Sequence, residues 1–197
     1  MATESAKLLR SVLSGSVAPL LKAKGFKRSG NNWTRQCGEA FQCVSVQAHS
    51  AGWAFTINLD VFYPALYELL GWIPVPTVSG MCGTRIGSLI PSNLDIWWGV
   101  GDGSPAHGSE AVELLESYGL PYLERHLDPR QCANDTMAGS YRAAYLIIAG
   151  HFDDARGVLA AAQSRLLDDR LTEEELEHRA SEVESIEGVL RRAGLRE

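Results

Sequence analysis

The sequence feature that most constrains the fold is a block from Leu20 to Asp60, where a helical pattern gives way to three strand patterns. Gly25 ends the helical spacing and predicts a left-handed C-terminal cap. In the third strand pattern, Trp53 to Val61, large apolar residues alternate with polar or small ones, which is typical of a strand with one buried face. This order predicts a three-strand antiparallel meander packed by an N-terminal helix.

A glycine-first turn at Gly38-Glu39 predicts the register of the first two strands, Asn31–Cys37 and Ala40–Ala48. In that register Trp33 lies opposite Val44, and the sheet has two faces of different character. The apolar face, predicted to pack on the helix, comprises Trp33, Val44, Val46, Ala48, Trp53, Phe55, Ile57, Leu59 and Val61. The polar outer face comprises Thr34, Gln36, Cys43, Ser45, Gln47, Ala54, Thr56, Asn58 and Asp60.

Prolines inside two helical patterns predict interruptions. The N-terminal pattern, Ser5–Lys24, contains Pro19, and we predict that Ser16 caps a second helical stretch there. A later helical pattern is predicted to stop at Gly119 and to restart with Pro121 in the first turn.

The region from Tyr63 to Gly83 is punctuated by proline and glycine, which predicts a helical turn followed by a loop. Two more strands are predicted after it. The helical turn and the two strands span Ala65–Leu70, Thr84–Ile90 and Leu94–Val100. Because adjacent residues of a strand face opposite ways, we expect one of Trp97 and Trp98 in the core and the other near the surface.

The tail from about Gln131 onward is alanine-rich, charged and helical. We therefore predict an α+β domain over residues 1–130 and a helical extension over 131–197 that docks on it. Thr172 and Glu175 form a capping box at the start of the last helix. The short apolar seam of that helix leaves two alternatives open, which are packing within the chain, the favoured one, and a homodimer.

Composition excludes several classes of function. The net charge of −6 argues against nonspecific nucleic-acid binding. The basic cluster Lys22, Lys24, Lys27 and Arg28 is interpreted as a complement to a helix dipole, with a phosphate-binding patch as the alternative. No apolar run approaches the roughly 20 residues that span a bilayer, and the start of the chain lacks a signal-peptide pattern. We expect a cytoplasmic protein without membrane contact, whose four cysteines stay reduced.

No residue spacing indicates catalysis or metal binding. The five histidines form no H-E-x-x-H or H-x-H pattern. The segment Gly99–Ser104 lacks the third glycine of a dinucleotide loop and the lysine of a phosphate loop. Cys43 has polar neighbours on the sheet, but a half-exposed antiparallel face is the simpler interpretation, and Cys37 lies on the opposite face, too far for a disulfide. We predict no catalytic residue, no metal site and no cofactor.

Motifs in a fixed order carry a family resemblance. They are L-K-A-K-G-F-K-R-S-G-N-N-W-T-R from Leu21, V-S-V-Q, F-T-I-N-L, R-I-G-S-L-I-P from Arg85, D-I-W-W from Asp95 and G-L-P-Y-L-E from Gly119. Together they resemble a bacterial family catalogued as domain of unknown function 4304, over about residues 17–127. The resemblance implies an α+β fold with a mostly antiparallel sheet. It brings no catalytic residues, because the family has no assigned activity.

We expect a non-catalytic protein-binding module, of the kind that neutralises a toxin or serves as an adaptor. Trp72 lies between proline and glycine residues of the loop and is the leading candidate for a partner contact. The predicted binding residues are Trp72, Cys43, Gln47, Thr56, Asn58 and Trp98. Two alternatives stay open: a small-molecule-binding protein or enzyme with a pocket at the polar sheet face, and a homodimeric scaffold that pairs through its C-terminal helices.

Overall fold

The computed structural model describes residues 4–72, 82–100, 105–168 and 170–195. Its fold is α+β with a mostly antiparallel sheet, as the sequence predicts. The chain divides into two compact units. The first comprises Met1–Val61 and Gly83–Arg125, and the second comprises Phe62–Cys82 and His126–Glu197.

The sheet confirms the predicted meander. Its strands are β1 (Lys27–Ser29), β2 (Asn32–Cys37), β3 (Ala40–Ala48), β4 (Ala54–Phe62), β5 (Cys82–Arg85) and β6 (Trp98–Gly99). β1 to β5 neighbour one another in chain order, and β6 pairs with β4. Trp33 lies opposite Val44 and Thr34 opposite Cys43, so the predicted hairpin register is correct. The two later strands are shorter than predicted, and a 3-10 turn at Ile86–Leu89 follows β5.

Neither internal proline ends its helix. The helices are α1 (Glu4–Val12), α2 (Ala18–Ala23), α3 (Pro64–Leu70), α4 (Pro105–Leu114), α5 (Leu120–Arg125), α6 (Pro129–Asp135), α7 (Gly139–Ile148), α8 (Phe152–Arg165) and α9 (Glu173–Arg192). Five-residue π-helical segments, Leu13–Val17 and Leu115–Gly119, join α1 to α2 and α4 to α5. The predictions that Ser16 caps a new helix and that Gly119 ends one are therefore wrong.

The two π-helical segments explain how these helices continue through proline. A proline has no N–H to donate, and its ring clashes with the carbonyl four residues earlier in a regular α-helix. A π turn moves the hydrogen bond to the carbonyl five residues back and widens the helix locally. Pro19 and Pro121 each lie two residues after the end of such a segment, where this widening accommodates the ring.

The apolar face of the sheet forms the core of the first unit. Side chains that are 1% exposed or less include Trp33, Val44, Phe55, Ile57, Leu59 and Val61. Trp53 is an exception, because it precedes β4 and is 54% exposed, so its predicted core position is wrong. Trp98 pairs with Phe55 and is 3% exposed, whereas Trp97 is half-buried, which confirms that the two tryptophans divide between core and surface.

One polar pair lies on this same apolar face. Gln42 is fully buried and stands opposite Arg35 in the β2–β3 pair. Arg35 donates to Gln42 Oε1 from Nε at 2.9 Å and from Nη2 at 2.5 Å. It also donates to the carbonyl of Lys24 at 2.8 Å and forms a salt bridge with Glu124. Arg35 therefore ties the hairpin to the end of α2 and to α5.

The second unit is built from α3 and α6 to α9, and α7 packs on the other four helices. The predicted capping box of α9 is present, with Thr172 Oγ1 accepting from the Glu175 amide at 3.3 Å. The C-terminal half of α9 buries Ile186, Val189 and Leu190, and α9 packs on α3, α7 and α8. Of the predicted seam, Leu190 is buried, whereas Leu176 is 44% exposed, so the buried face of α9 coincides with the seam only at its C-terminal end. A homodimer stays a prediction.

The compact units do not follow a division after residue 130. The segment Phe62–Cys82, which the sequence places inside the α+β domain, belongs with the C-terminal helices. The docking of 131–197 on 1–130 stays a prediction. Residues 73–81 of the predicted loop and 101–104 of the glycine-rich connection lie outside the described residues. Among the residues that the structure does describe, no helix has the length and apolarity needed to cross a membrane.

Candidate functional site

The polar face of the sheet is less exposed than its alternation predicts. Gln47 is exposed and Asn58 is half-buried, as expected for a partly solvated face. Cys43, however, is 6% exposed and Thr56 is fully buried, so neither side chain reaches the surface. The prediction of an open outer face is wrong at these two positions.

Side chains of β5, of the covering segment that follows it (residues 86–97) and of the β3–β4 hairpin meet over the polar face in a sheet-face cluster. The cluster consists of Gln47, His49, Trp53, Asn58, Arg85, Asp95 and Trp97. Gln47 Oε1 accepts from Asn58 Nδ2 at 3.1 Å and from Arg85 Nη2 at 3.5 Å. Arg85 Nη1 forms a salt bridge of 2.6 Å with Asp95 Oδ2. The strands and the covering segment are therefore joined by polar contacts.

Asp95 holds the side chains of Trp97 and Arg85 in place. Its Oδ2 atom accepts from Trp97 Nε1 at 3.0 Å as well as from Arg85. These hydrogen bonds hold the pKa of Asp95 below its ordinary value, because both favour the charged carboxylate. The bond from the Trp97 indole has the larger effect, and the bond from the Arg85 guanidinium has the smaller one. Asp95 is thus ionised at neutral pH and orients the indole of Trp97.

Aromatic rings complete the cluster. The His49 ring lies 4.6 Å from the Trp53 ring and 5.4 Å from the Trp97 ring, centroid to centroid. The Arg85 guanidinium lies 5.3 Å from the Trp97 ring centroid, which is a cation–π distance. Trp53 is the most exposed member of this row. Its indole is held by a neighbour yet open to solvent, which is the arrangement that suits contact with another molecule.

Gly87 lets the chain after β5 fold back closely on itself. A β-carbon at this position would lie 2.0 Å from the Leu94 carbonyl oxygen and 2.9 Å from the Ile96 nitrogen, both backbone atoms. Only a residue without a β-carbon fits there. The glycine therefore lets the backbone on either side of Asp95 pack against the turn that follows β5.

Cys43 does not have the properties of a nucleophile. Burial raises the pKa of the Cys43 thiol, and the nearby charge of Asp60 adds a smaller effect, so that the pKa is about 12. A reactive cysteine needs a lowered pKa and access to solvent. Cys43 is therefore a neutral, buried thiol at physiological pH, and all four cysteines of the chain are free.

The two predicted tryptophan sites have different environments. Trp98 is in the core, so its predicted binding role has no exposed surface to act through. Trp72 follows α3 in the second unit and is 41% exposed. Its ring makes edge contacts with Tyr67 at 6.0 Å and with Tyr141 of α7 at 5.7 Å. Trp72 is thus an anchored, partly exposed ring, as a contact residue would be.

His126 lies in the second unit, just before α6. Its side chain is fully buried in the second unit, with Nε2 2.7 Å from Asp135 Oδ2. Its carbonyl accepts from the Tyr63 hydroxyl at 2.9 Å and from Cys132 Sγ at 3.5 Å. His126 therefore links Asp135 and Cys132 of α6 to Tyr63.

Sequence reasoning found two members of the sheet-face cluster, Gln47 and Asn58. It missed His49, Arg85, Asp95 and Trp97 as site residues and placed Trp53 in the core. One signal was available: Asp95 and Trp97 are two residues apart, which puts them on one side of an extended segment. Within the described part of the chain, no group of three or more potential ligand side chains is arranged to hold a metal.

The fold and the cluster define an α+β protein with an antiparallel sheet whose polar face carries a tryptophan-rich polar cluster. The family described as "Domain of unknown function (DUF4304)" matches residues 17–125. The match covers more than half of the chain, so the chain belongs to this family. It ends at Arg125, the last residue of the first compact unit. Comparison with curated proteins and with solved structures finds no match.

Proposed function

We propose that the chain is a non-catalytic protein-binding module and that its first unit contacts a partner protein through the sheet-face cluster. The observation that carries this proposal is Trp53, an indole that is more than half exposed yet packed against His49. Tryptophan and arginine are the residues most enriched among those that dominate binding energy at protein interfaces. The cluster offers both, with Arg85 beside the second tryptophan, Trp97.

The chemistry of the cluster favours binding over catalysis. The nearest thiol, Cys43, is buried and neutral. The charged side chains Arg85 and Asp95 are paired with each other, which suits a positioning role. Reduced thiols are typical of cytoplasmic proteins, and the family resemblance suggests a bacterial source, so a cytoplasmic immunity or adaptor protein of a bacterium fits these features.

A retention experiment with an exposed-residue control tests the proposal. Immobilised wild-type protein, Trp53→Ala and Leu167→Ala are exposed to a lysate of the source organism, and retained proteins are quantified by mass spectrometry. Leu167 is a matched control, because it is 84% exposed and belongs to the second unit. We expect a protein that both wild type and Leu167→Ala retain and that Trp53→Ala retains at least about tenfold less. Equal retention by Trp53→Ala would refute the assignment to this cluster.

Trp72 is a second candidate contact for the same function, because its exposed ring is held by two tyrosines. The same experiment with Trp72→Ala separates the two surfaces. Loss of the retained protein in Trp72→Ala but not in Trp53→Ala would assign partner binding to the second unit. Circular dichroism of each variant confirms that a loss of retention does not reflect unfolding.

A further inference from the structure

A groove of about 490 Å³ lies among the helices of the second unit. α6 and α7 contribute Arg130 and Arg142 to its lining, and α8 contributes Gly157 and Val158. None of these residues belongs to the sheet-face cluster or to the Trp72 contacts.

The charged side chains that line the groove differ in whether they have a partner within the chain. Two of the groove's three carboxylates form ion pairs with arginine, Asp153 with Arg156 and Glu182 with Arg165, and Asp154 lies 3.7 Å from His151 Nδ1, which is charged only when protonated. The guanidinium groups of Arg130 and Arg142, in contrast, make no hydrogen bond or ion pair with any residue in the described part of the chain. Two arginines that line one groove without partners provide donors for carboxylate oxygens of a ligand.

Gly157 lies in the middle of α8, where glycine is less favourable than alanine. A β-carbon at Gly157 would meet no atom within 4 Å, so packing within the chain does not require glycine there. The missing side chain instead leaves open space along one wall of the groove. A ligand backbone can approach α8 closely at this point.

The groove also offers apolar surface. Val158 is half-buried, and Leu146 is buried at 6% exposure. Met137, between α6 and α7, is fully exposed at 100%. An exposed methionine is a flexible apolar side chain that adapts to different contact shapes.

We propose that this groove binds a short peptide segment of a partner protein, with one or two carboxylates next to an apolar side chain. The carboxylates pair with Arg130 and Arg142, and the apolar side chain packs on Met137 and Val158. Acidic residues outnumber arginines in the second unit as a whole, so a long acidic tract would be repelled. One or two carboxylates gain the local contacts with little of that repulsion.

Fluorescence anisotropy with two labelled hexapeptides tests this proposal on the full chain. The first peptide carries two glutamates between two leucines with glycine ends, and the second replaces the glutamates by glutamine. We expect the glutamate peptide to bind at least about tenfold more tightly, since a charge-assisted contact to arginine is roughly twice as strong as a neutral one. Arg130→Gln and Arg142→Gln should each weaken binding of the glutamate peptide by about tenfold.

Three variants separate peptide binding from folding and from the sheet-face cluster. Gly157→Ala should raise the thermal unfolding temperature, because alanine favours the helix, and should still weaken peptide binding by filling the groove. Arg170→Gln is the matched control, since Arg170 is exposed and pairs with Asp168, and it should leave the affinity within about twofold. Trp53→Ala should also bind the peptide as wild type does, which keeps this test independent of the sheet-face cluster.

Three outcomes would overturn the proposal. Equal affinity for the glutamate and glutamine peptides would remove the role of the arginines. Unchanged binding by Arg142→Gln would place the peptide elsewhere. Displacement of the peptide by an equal concentration of inorganic phosphate would assign the groove to small anions instead of a peptide segment.

Discussion

The two faces of the antiparallel sheet each bury a polar side chain, and the two side chains differ in how far they are hydrogen-bonded. On the apolar face, Gln42 Oε1 accepts two hydrogen bonds from Arg35, while Gln42 Nε2 has no partner among the described residues. The polar face buries Thr56, whose hydroxyl has no hydrogen-bond partner among the described residues. Period-two alternation therefore determines which face a side chain occupies, while the segment above that face determines whether the side chain is buried and hydrogen-bonded.

Gly87→Ala tests the backbone packing of the segment after β5 and should have the largest effect. The new β-carbon would overlap the Leu94 carbonyl oxygen, so the turn at Gly87 and the backbone at Leu94 must move apart. We expect the free energy of unfolding to fall by about 3 kcal/mol, as for severe overpacking. Urea denaturation measures the loss, and tryptophan fluorescence reports the displacement of Trp97.

Gly15→Ala is the control for this change, because a β-carbon at Gly15 meets nothing within 4 Å. Because alanine favours a helix more than glycine does, Gly15→Ala should raise the free energy of unfolding by up to about 1 kcal/mol. Equal stability of the Gly87 and Gly15 variants would mean that close approach at Gly87 does not hold the covering segment.

Arg35→Met tests the polar pair on the apolar face. Methionine keeps much of the apolar stem but removes both arginine donors, so the buried Gln42 Oε1 keeps only the weak Cys37 Sγ donor at 3.7 Å. The free energy of unfolding should fall by about 2 kcal/mol, the cost of an unsatisfied buried group. Arg10→Met, at an exposed arginine of α1, should change it by less than about 0.5 kcal/mol in the same denaturation series. A neutral Arg35→Met would show that Gln42 is satisfied by other means.

Thr56→Val tests the opposite case on the polar face. Valine has nearly the shape of threonine and removes a hydroxyl that is buried without a partner. The free energy of unfolding should rise by about 1 kcal/mol, because the desolvation cost of the hydroxyl disappears. Thr34→Val, at a half-buried position of the same face, should change stability little. A fall in stability on Thr56→Val would reveal a hydrogen bond to the Thr56 hydroxyl.

The smallest expected effect is the pH response of Asp95. The pKa of Asp95 is lower in the folded protein than its ordinary value of 3.8. Ionised Asp95 therefore stabilises the fold fully above pH 3.8, and this stabilisation is lost as the pH falls through the lower folded pKa. The Asp95 carboxyl carbon, followed by NMR, should titrate below 3.8, and Arg85→Gln should raise its pKa towards that value. A titration of wild-type Asp95 at or above 3.8 would contradict the hydrogen bonds from Trp97 and Arg85.

Much of the sheet was predictable, because its register and its buried face follow from residues that are close together in the sequence. The glycine-first turn determines the β2–β3 register, and strict alternation identifies β4. The helices were harder, since proline and glycine usually mark helix boundaries. Pro19 and Pro121 are accommodated instead by π-helical segments, whose extra width depends on how each helix packs rather than on its own residues.

The candidate site was only partly predictable for a related reason. Gln47 and Asn58 are neighbours on the sheet, and alternation places them on one face. Arg85 ends β5, and Asp95 comes from a segment whose course depends on the close backbone approach at Gly87. Such an approach has no periodic signature in the sequence. The same holds for the groove of the second unit, which four separate helices line.

The sequence by itself determines the α+β class, the meander, the hairpin register, the capping box of α9 and the family. These properties follow from spacing along the chain, which sets hydrogen-bond partners and faces through short-range geometry. The tertiary structure alone decides that Trp53 is exposed while Cys43 and Thr56 are buried, and that Phe62–Cys82 belongs with the C-terminal helices. Burial is decided by whatever residues lie above a side chain, and those come from distant parts of the sequence.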